Sequence, residues 1–262
     1  MWTDYEPLEV IAESARSRLL RARLRHNGQV MALKEHLGDD ALAAWNRELE
    51  ALKAGQASSH VVTLLGSSRP PQPPWIALEW LNGPSLDTLV SNQTLSAAAL
   101  IQLATHNLEA LQTLHRAGFL HRDVTPANLM LTHPGIWKLI DFDQARRLDE
   151  ASMQAMTGTL HCMAPEQFDG TPLDERSDLY SLGCCLYFAL TGRFFHPGET
   201  TAEVITSHLY PPMSDLALKR PDLPTDLIEA LQKLLSRHPA GRPADCQQAR
   251  SELESVRIDS RS

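Results

Sequence analysis

Three residues in the middle of the chain have the types and spacing that phosphoryl transfer uses. In "HRDVTPANLM", Asp123 and Asn128 lie five positions apart, and Asp141 then opens "DFD" after the apolar stretch "IWKLI". Moving a phosphoryl group from ATP takes few chemical groups. It needs a cation on the phosphates, carboxylate and amide oxygens on divalent metal, and an acid–base group oriented at the acceptor hydroxyl. An aspartate, an amide and a second aspartate in this order can supply the last two.

Such groups need elements to hold them. "LLRARLRHNGQVMALKEH" alternates Leu20, Ala22 and Leu24 with Arg21, Arg23 and Arg25. It turns at Asn27-Gly28 into a second alternating run containing Val30 and Ala32, which predicts a hairpin with one buried face. A helix is expected from about Asp40 to Lys53, and "HVVTLLG" and "WIALEWL" read as two more strands. The "SSRPPQPP" between them has the spacing of a proline-rich ligand motif but reads as a stiffened loop. From Ser85 the chain turns helical. "LSAAALIQLATHNLEALQTLHRAG" places Leu100, Leu103 or Ala104, Leu108, Leu111 and Leu114 on one face, with Ser96 as N-cap and Gly118 as the stop. "SDLYSLGCCLYFALTG" is apolar nearly all round and predicts a buried helix, and "DLIEALQKLLSRHP" predicts an amphipathic one ended by Pro239. A β-rich small lobe followed by a helical large lobe results, with the switch near Leu81 to Pro84.

Composition agrees with that outline. The 262 residues are 43% hydrophobic and 21% charged, enough for a full core in one large domain or two closely packed lobes. A formal net charge of −8 argues against nucleic acid or an anionic membrane as the main partner. No apolar run approaches membrane-spanning length, and the acids in "MWTDYEPLEVIAES" do not suit a signal peptide, so no membrane insertion and a cytoplasmic location are the expectations. Cys162, Cys184, Cys185 and Cys246 form no metal-ligand spacing and read as reduced thiols.

Beyond spacing, the motifs together resemble the protein kinase family, in particular the catalytic domain of bacterial eukaryotic-like (Hanks-type) serine/threonine kinases. The resemblance runs from about Tyr5 to about Leu253. "HRDVTPANLM" and "DFD" resemble the catalytic and metal loops, and "VMALK" resembles the family's V-A-I-K strand. "GTLHCMAPEQ" is similar to the G-T-x-x-Y-M-A-P-E segment, with Cys162 where tyrosine is usual. "DERSDLYSLGCCLYFALTGRFF" looks like the family's D-x-Y-S-L-G helix, and "HPAGRP" supplies Arg242. These downstream segments separate the chain from aminoglycoside and choline kinases, which share the "IDFD" stretch but lack them.

The resemblance implies an α+β, bilobal protein-kinase-like fold: one domain over 1–262, with the N-lobe about 1–81 and the C-lobe about 82–262. It implies ATP with Mg2+ or Mn2+ and transfer of the γ-phosphate to serine or threonine hydroxyls of a protein substrate. By the same carry-over Lys34 holds the phosphates and Glu48 pairs with Lys34, with Glu50 as the alternative partner should the helix register differ. Asp123 orients and deprotonates the acceptor, and Asn128 and Asp141 carry metal. Glu166 and Arg242 form a structural pair, and Asp178 is a third structural residue. Leu78 is the gatekeeper, the Glu79 carbonyl and Leu81 amide read the base edge, and Leu19, Ala32 and Met130 line the nucleotide. Arg122, preceding Asp123, implies an activation loop ordered by phosphorylation. Thr157 is the first candidate for autophosphorylation, ahead of Ser152, and Thr159 matches the family's structural threonine. The protein would act as a monomer or a transient dimer for trans-autophosphorylation.

Three departures qualify this. Ala12, Ser14 and Ser17 stand where G-x-G-x-x-G has glycines, which predicts a weaker or reshaped phosphate cradle. Arg16 or Arg18 either supplies a guanidinium in compensation or projects into water. Thr125 replaces a lysine usual in the catalytic loop, which predicts slower turnover. Asp143 replaces the DFG glycine and either recruits a divalent ion, favouring Mn2+, or hydrogen-bonds a backbone amide. Two other readings stay open: a pseudokinase that binds nucleotide as an interaction module, and a small-molecule phosphotransferase.

Overall fold

The structure, a computed structural model, describes residues 4–132, 135–150, 160–169, 171–209 and 216–257. Five antiparallel strands form the first layer: β1 (Tyr5–Glu13), β2 (Ser17–Leu24), β3 (Val30–His36), β4 (Leu64–Ser67) and β5 (Trp75–Glu79), in the order β1-β2-β3-β5-β4. The turn between β2 and β3 needs positive φ, and Gly28 supplies it at 75°. Leu20 and Ala22 are buried as the alternation requires, but their cross-strand partners are Leu33 and Met31. Val30 and Ala32 lie opposite Arg23 and Arg21, which corrects the expected inner face of β3 by one residue. The reason is that both faces of this strand are covered. One meets Ala77, Tyr5 and Trp75, and the other carries Lys34 and His36 toward the helix α1 (Ala41–Gly55).

The first part of "HVVTLLG" does not join this sheet. Val61 instead forms a parallel bridge to Leu139, tying the small lobe to the hairpin of β7 (Leu129–Thr132) and β8 (Ile136–Leu139). The connection after β5 passes so close to β7 that a Cβ on Gly83 would sit 1.8 Å from the Leu131 carbonyl oxygen. Only glycine fits this crossing between the lobes.

Beyond it, helices α2 (Leu86–Val90), α3 (Ala97–Arg116), α4 (Pro165–Asp169), α5 (Glu175–Thr191), α6 (Thr201–Leu209), α7 (Leu216–Lys219), α8 (Thr225–Leu234) and α9 (Cys246–Glu254) form the large lobe. They accompany a two-residue pairing of β6 (Phe119–Leu120) with β9 (Arg146–Arg147). Ser96 caps α3 by accepting from Ala99 N, and all the expected inward leucines of α3 are buried. Helix α5 is buried along nearly its whole length, as its apolar circumference requires. Helix α8 stops at Leu234, ahead of the expected end at Pro239, which opens a separate 3-10 turn. The four cysteines are free and buried. Among the described residues no helix is long and apolar enough to cross a membrane.

A histidine cluster fastens α6 beneath Leu160. His208 Nε2 lies 2.8 Å from the Leu160 carbonyl and its ring stacks on His196 at 3.6 Å, while His196 Nε2 and the Tyr180 hydroxyl hydrogen-bond at 2.5 Å. Burial pushes the His196 pKa down to about 3 and the His208 pKa down to about 4. Both rings are therefore neutral in the fold, whereas unfolded histidine protonates near 6.5. Their contribution to stability is full above about pH 6.5 and is lost as pH falls from there toward 4. Thermal unfolding between pH 7 and 4.5 is expected to show a falling midpoint, flattened in His196→Gln. A wild-type midpoint constant over that window contradicts the assignment.

Candidate active site

The site is assembled where β3, α1 and the loops around β7 and β8 meet. Alternation along β3 points Lys34 at α1, and there its ammonium lies 2.9 Å from Glu48 Oε1. It also lies 2.9 Å from Asp141 Oδ1 and 3.7 Å from Asp143 Oδ1. Burial by itself would push Lys34 toward neutrality, but the three carboxylates outweigh it and hold the ammonium charged, its pKa raised. For Asp141, burial likewise opposes ionisation, and Lys34 prevails to lower its pKa.

The catalytic-loop residues converge by a different route. A 3-10 turn at Pro126–Asn128 brings Asn128 back over Asp123, so that its Nδ2 donates to both the Asp123 carbonyl and Oδ2 at 2.9 Å. Ile140 N donates to the Asn128 carbonyl at 3.0 Å, which sets the metal loop beside it. Two non-glycine residues in this region take left-handed backbone, Arg122 at φ 66° and Asp141 at φ 58°. Such conformations persist where the surroundings over-determine them.

At Arg122 the clamp is Asp178, buried in α5. Its Oδ1 accepts from Arg122 N and its Oδ2 from His121 N, each at 2.8 Å, and Oδ2 also meets His115 Nε2 at 2.8 Å. Burial raises the Asp178 pKa, but these donors outweigh it and lower it overall. Its partner His115 is raised to about 10 despite burial. His115 is a residue that sequence reasoning missed: in "LQTLHRAG" it reads as one more helix-terminal cation.

Asp143 turns toward Lys34, and its backbone N donates to Asp141 Oδ1 at 3.4 Å. It is thus a third carboxylate on one ammonium, and would compete with any phosphate that Lys34 binds. Asp143→Gly is expected to tighten ATP binding roughly two- to fivefold, the scale of a half-exposed ion pair. Titration in Mg2+ and in Mn2+ checks this, and unchanged affinity in both metals discards the competition.

The positions aligned with phosphate-loop glycines form a closed turn. Ala12 lies in β1, Ser17 opens β2, and Ser14 Oγ accepts from Arg16 N at 3.2 Å and Ser17 N at 3.1 Å. A serine hydroxyl thus occupies amides of the kind that cradle phosphate. Arg18 pairs with Glu35 at 2.6 Å on the face of the sheet opposite Lys34. Arg16 is exposed at the turn itself. Leu19 pairs across from Lys34 and Ala32 from Leu78, so both border the same cleft. The Glu79 carboxylate accepts from Thr63 N and Oγ1 and bonds Lys138 of β8. Leu81 is half-buried after β5, and Met130 bridges to Ser85 beneath the cleft.

Below the cleft, Arg242 grips Glu166 with Nη1–Oε1 at 2.6 Å and Nη2–Oε2 at 2.8 Å, and Ser177 Oγ donates to the same carboxylate at 2.7 Å. Thr125 is buried beside Asp123, and both line a small pocket that Cys162 also borders. Arg122 sits near two guanidinium groups not anticipated from sequence, Arg146 of β9 and, close to Arg146, Arg47 of α1. Among the described residues, the Arg122 Nε and Nη1 atoms and Arg47 Nε are buried without hydrogen-bond partners. Thr157, Thr159 and Ser152 lie outside the described residues.

Comparison with known proteins follows this geometry. A model of the protein kinase domain matches residues 5–253. A probable serine/threonine-protein kinase of Clostridium perfringens is 26% identical over 97% of this chain and 38% of its own length. One of Thermomonospora curvata is 35% identical over 80% of this chain and 28% of its own. Another, of Bifidobacterium longum, is 32% identical over 69% of this chain and 27% of its own. The chain thus spans well under half the length of these relatives.

Proposed function

The chain belongs to the protein kinase domain family, and on that premise we propose that it transfers the γ-phosphate of ATP to serine or threonine hydroxyls of protein substrates. The observation that carries this reading is the convergence of Lys34, Glu48 and Asp141 within hydrogen-bond distance, beside the Asp123–Asn128 pair.

In this reading Lys34 exchanges part of its contact with Asp141 for the α- and β-phosphates, while Glu48 keeps the ammonium aimed into the cleft. Asp123 accepts the proton of the attacking hydroxyl through its carboxylate, which Asn128 orients. The donors left over suit a hard divalent cation: Asn128 Nδ2 is committed to Asp123, which leaves its amide oxygen, and Asp141 Oδ1 faces Lys34, which leaves Oδ2. Mg2+ or Mn2+ held there would neutralise charge on the transferring phosphates. Leu78, Glu79 and Leu81 would border the base, with Leu19, Ala32 and Met130 around it.

Arg122, with Arg146 nearby, would receive a phosphate on Thr157, since guanidinium charge gathered beside the catalytic loop favours a dianion. Autophosphorylation in a transient dimer and action in the cytoplasm belong to the same proposal. The closed Ser14 turn and Thr125 supply fewer phosphate contacts than the family's usual groups and point to slow turnover.

Incubation with γ-labelled ATP and a mixed protein substrate tests the reading in Mg2+ and in Mn2+. Label on serine or threonine is the expected result. Nucleotide binding without transfer in either metal replaces it with the pseudokinase reading, and turnover stimulated only by small alcohols replaces it with a small-molecule phosphotransferase.

A further inference from the structure

We propose that His36 is a second positioning residue for Glu48, so that this carboxylate is held by two donors from one strand; the inference rests on the phosphotransferase reading above. His36 lies two residues on from Lys34 in β3, and side chains at that separation share a face of a strand. Both reach α1. Lys34 Nζ takes Glu48 Oε1 at 2.9 Å, and His36 Nε2 takes Oε2 at 2.7 Å, with the His36 and Glu48 side chains each 1% exposed.

The chemistry of the contact fixes the direction of the bond. An ionised carboxylate only accepts, so His36 Nε2 carries the proton. The other ring nitrogen, Nδ1, is buried without a hydrogen-bond partner among the described residues. A proton there would be left unmet, so a ring with Nε2–H and bare Nδ1 is the arrangement this pocket satisfies. His36 N is itself anchored to the Pro74 carbonyl at 3.0 Å, which fixes the strand end that presents the ring.

A division of labour follows. Lys34 is shared among Glu48, Asp141 and Asp143, and nucleotide phosphates would add a further claim on it. Glu48 held by Lys34 alone would slacken as that claim grows. Held also by His36, the carboxylate stays fixed and keeps Lys34 oriented while the ammonium turns to the phosphates.

The test compares wild type, His36→Leu and His36→Gln, in both the Glu48 and the Glu48→Gln backgrounds, reading kcat, KM for ATP, the dissociation constant of Mg-ATP and the melting temperature. His36→Leu is expected to lower kcat/KM roughly tenfold, the scale of a lost hydrogen bond to a charged group. His36→Gln, which restores an N–H donor, is expected to recover most of that loss. In the Glu48→Gln background His36→Leu should add roughly less than twofold, since residues acting through one contact are not additive. Equal losses in the leucine and glutamine variants, or the same loss without Glu48, overturn the proposal. So does a loss that disappears when transition metals are chelated, which would assign His36, Glu48 and Asp143 to a metal ion instead. If the wild type binds Mg-ATP but transfers nothing, the phosphotransferase reading falls, and the affinity series still decides whether His36 acts through Glu48. If it does not bind Mg-ATP, both fall. Should His36→Leu fail to fold, 15N spectra of the wild-type imidazole decide: a protonated Nε2 with bare Nδ1 supports the role, and the reverse overturns it.

Discussion

Asp123→Asn is expected to lower phosphoryl transfer by roughly 10²- to 10⁴-fold, the usual contribution of a positioned acid–base group. The fold should survive, because an asparagine oxygen can still accept from Asn128 Nδ2, which now spans 2.9 Å to the Asp123 carboxylate. Affinity for Mg-ATP should change little, since Lys34 and Asp141 are untouched. Initial rates and nucleotide titration on the same preparations separate the two effects. A variant within about tenfold of wild type would remove Asp123 from the acid–base role.

Arg242→Met is expected to cost about 3–5 kcal/mol of stability, because it strips one partner from a buried ion pair and strands the other. Arg242 also donates to the carbonyls of Ser236, Arg176 and Arg237 at 2.8, 2.9 and 3.0 Å. Methionine fills much of the volume but meets none of these acceptors, and it leaves Glu166 with Ser177 alone among the side-chain donors described. Denaturant unfolding should show the loss directly, with a melting point lower by roughly 10 °C. The double variant Glu166→Gln/Arg242→Met should lose less than the two single losses added together. A single-variant cost under about 1 kcal/mol would mean that water replaces the pair, which full burial does not lead one to expect.

Much of the fold was legible because its signals are local. The alternation around Leu20 and Ala22 needs only a covered face, and the Ser96 cap and leucine spacing of α3 need only a helix. The same logic failed on β3, where two covered faces erase the polar phase that alternation depends on, and Met31 and Leu33 took the place of Val30 and Ala32. The end of α8 was read from proline, although the chain leaves the helix at Leu234 before proline acts. At the site, Lys34, Asp123, Asn128 and Asp141 stand out by type and order. Their separations in space do not, because residues 107 positions apart meet only after the lobes close on each other.

The sequence alone determined the family's frame: which residues carry charge, amide and proton chemistry, and in what order the lobes follow. Tertiary structure decided where each charge points. The sequence left Asp143 between a divalent ion and a backbone amide, and the structure places its carboxylate 3.7 Å from Lys34, a partner that spacing did not suggest. The sequence set Arg18 between phosphate and water, and the structure pairs it with Glu35 on the strand face opposite Lys34. His36 and His115 carry no motif at all, yet burial beside Glu48 and Asp178 commits both to a carboxylate. Direction and burial are properties of packing, and no one-dimensional spacing encodes which of several nearby partners a side chain will meet.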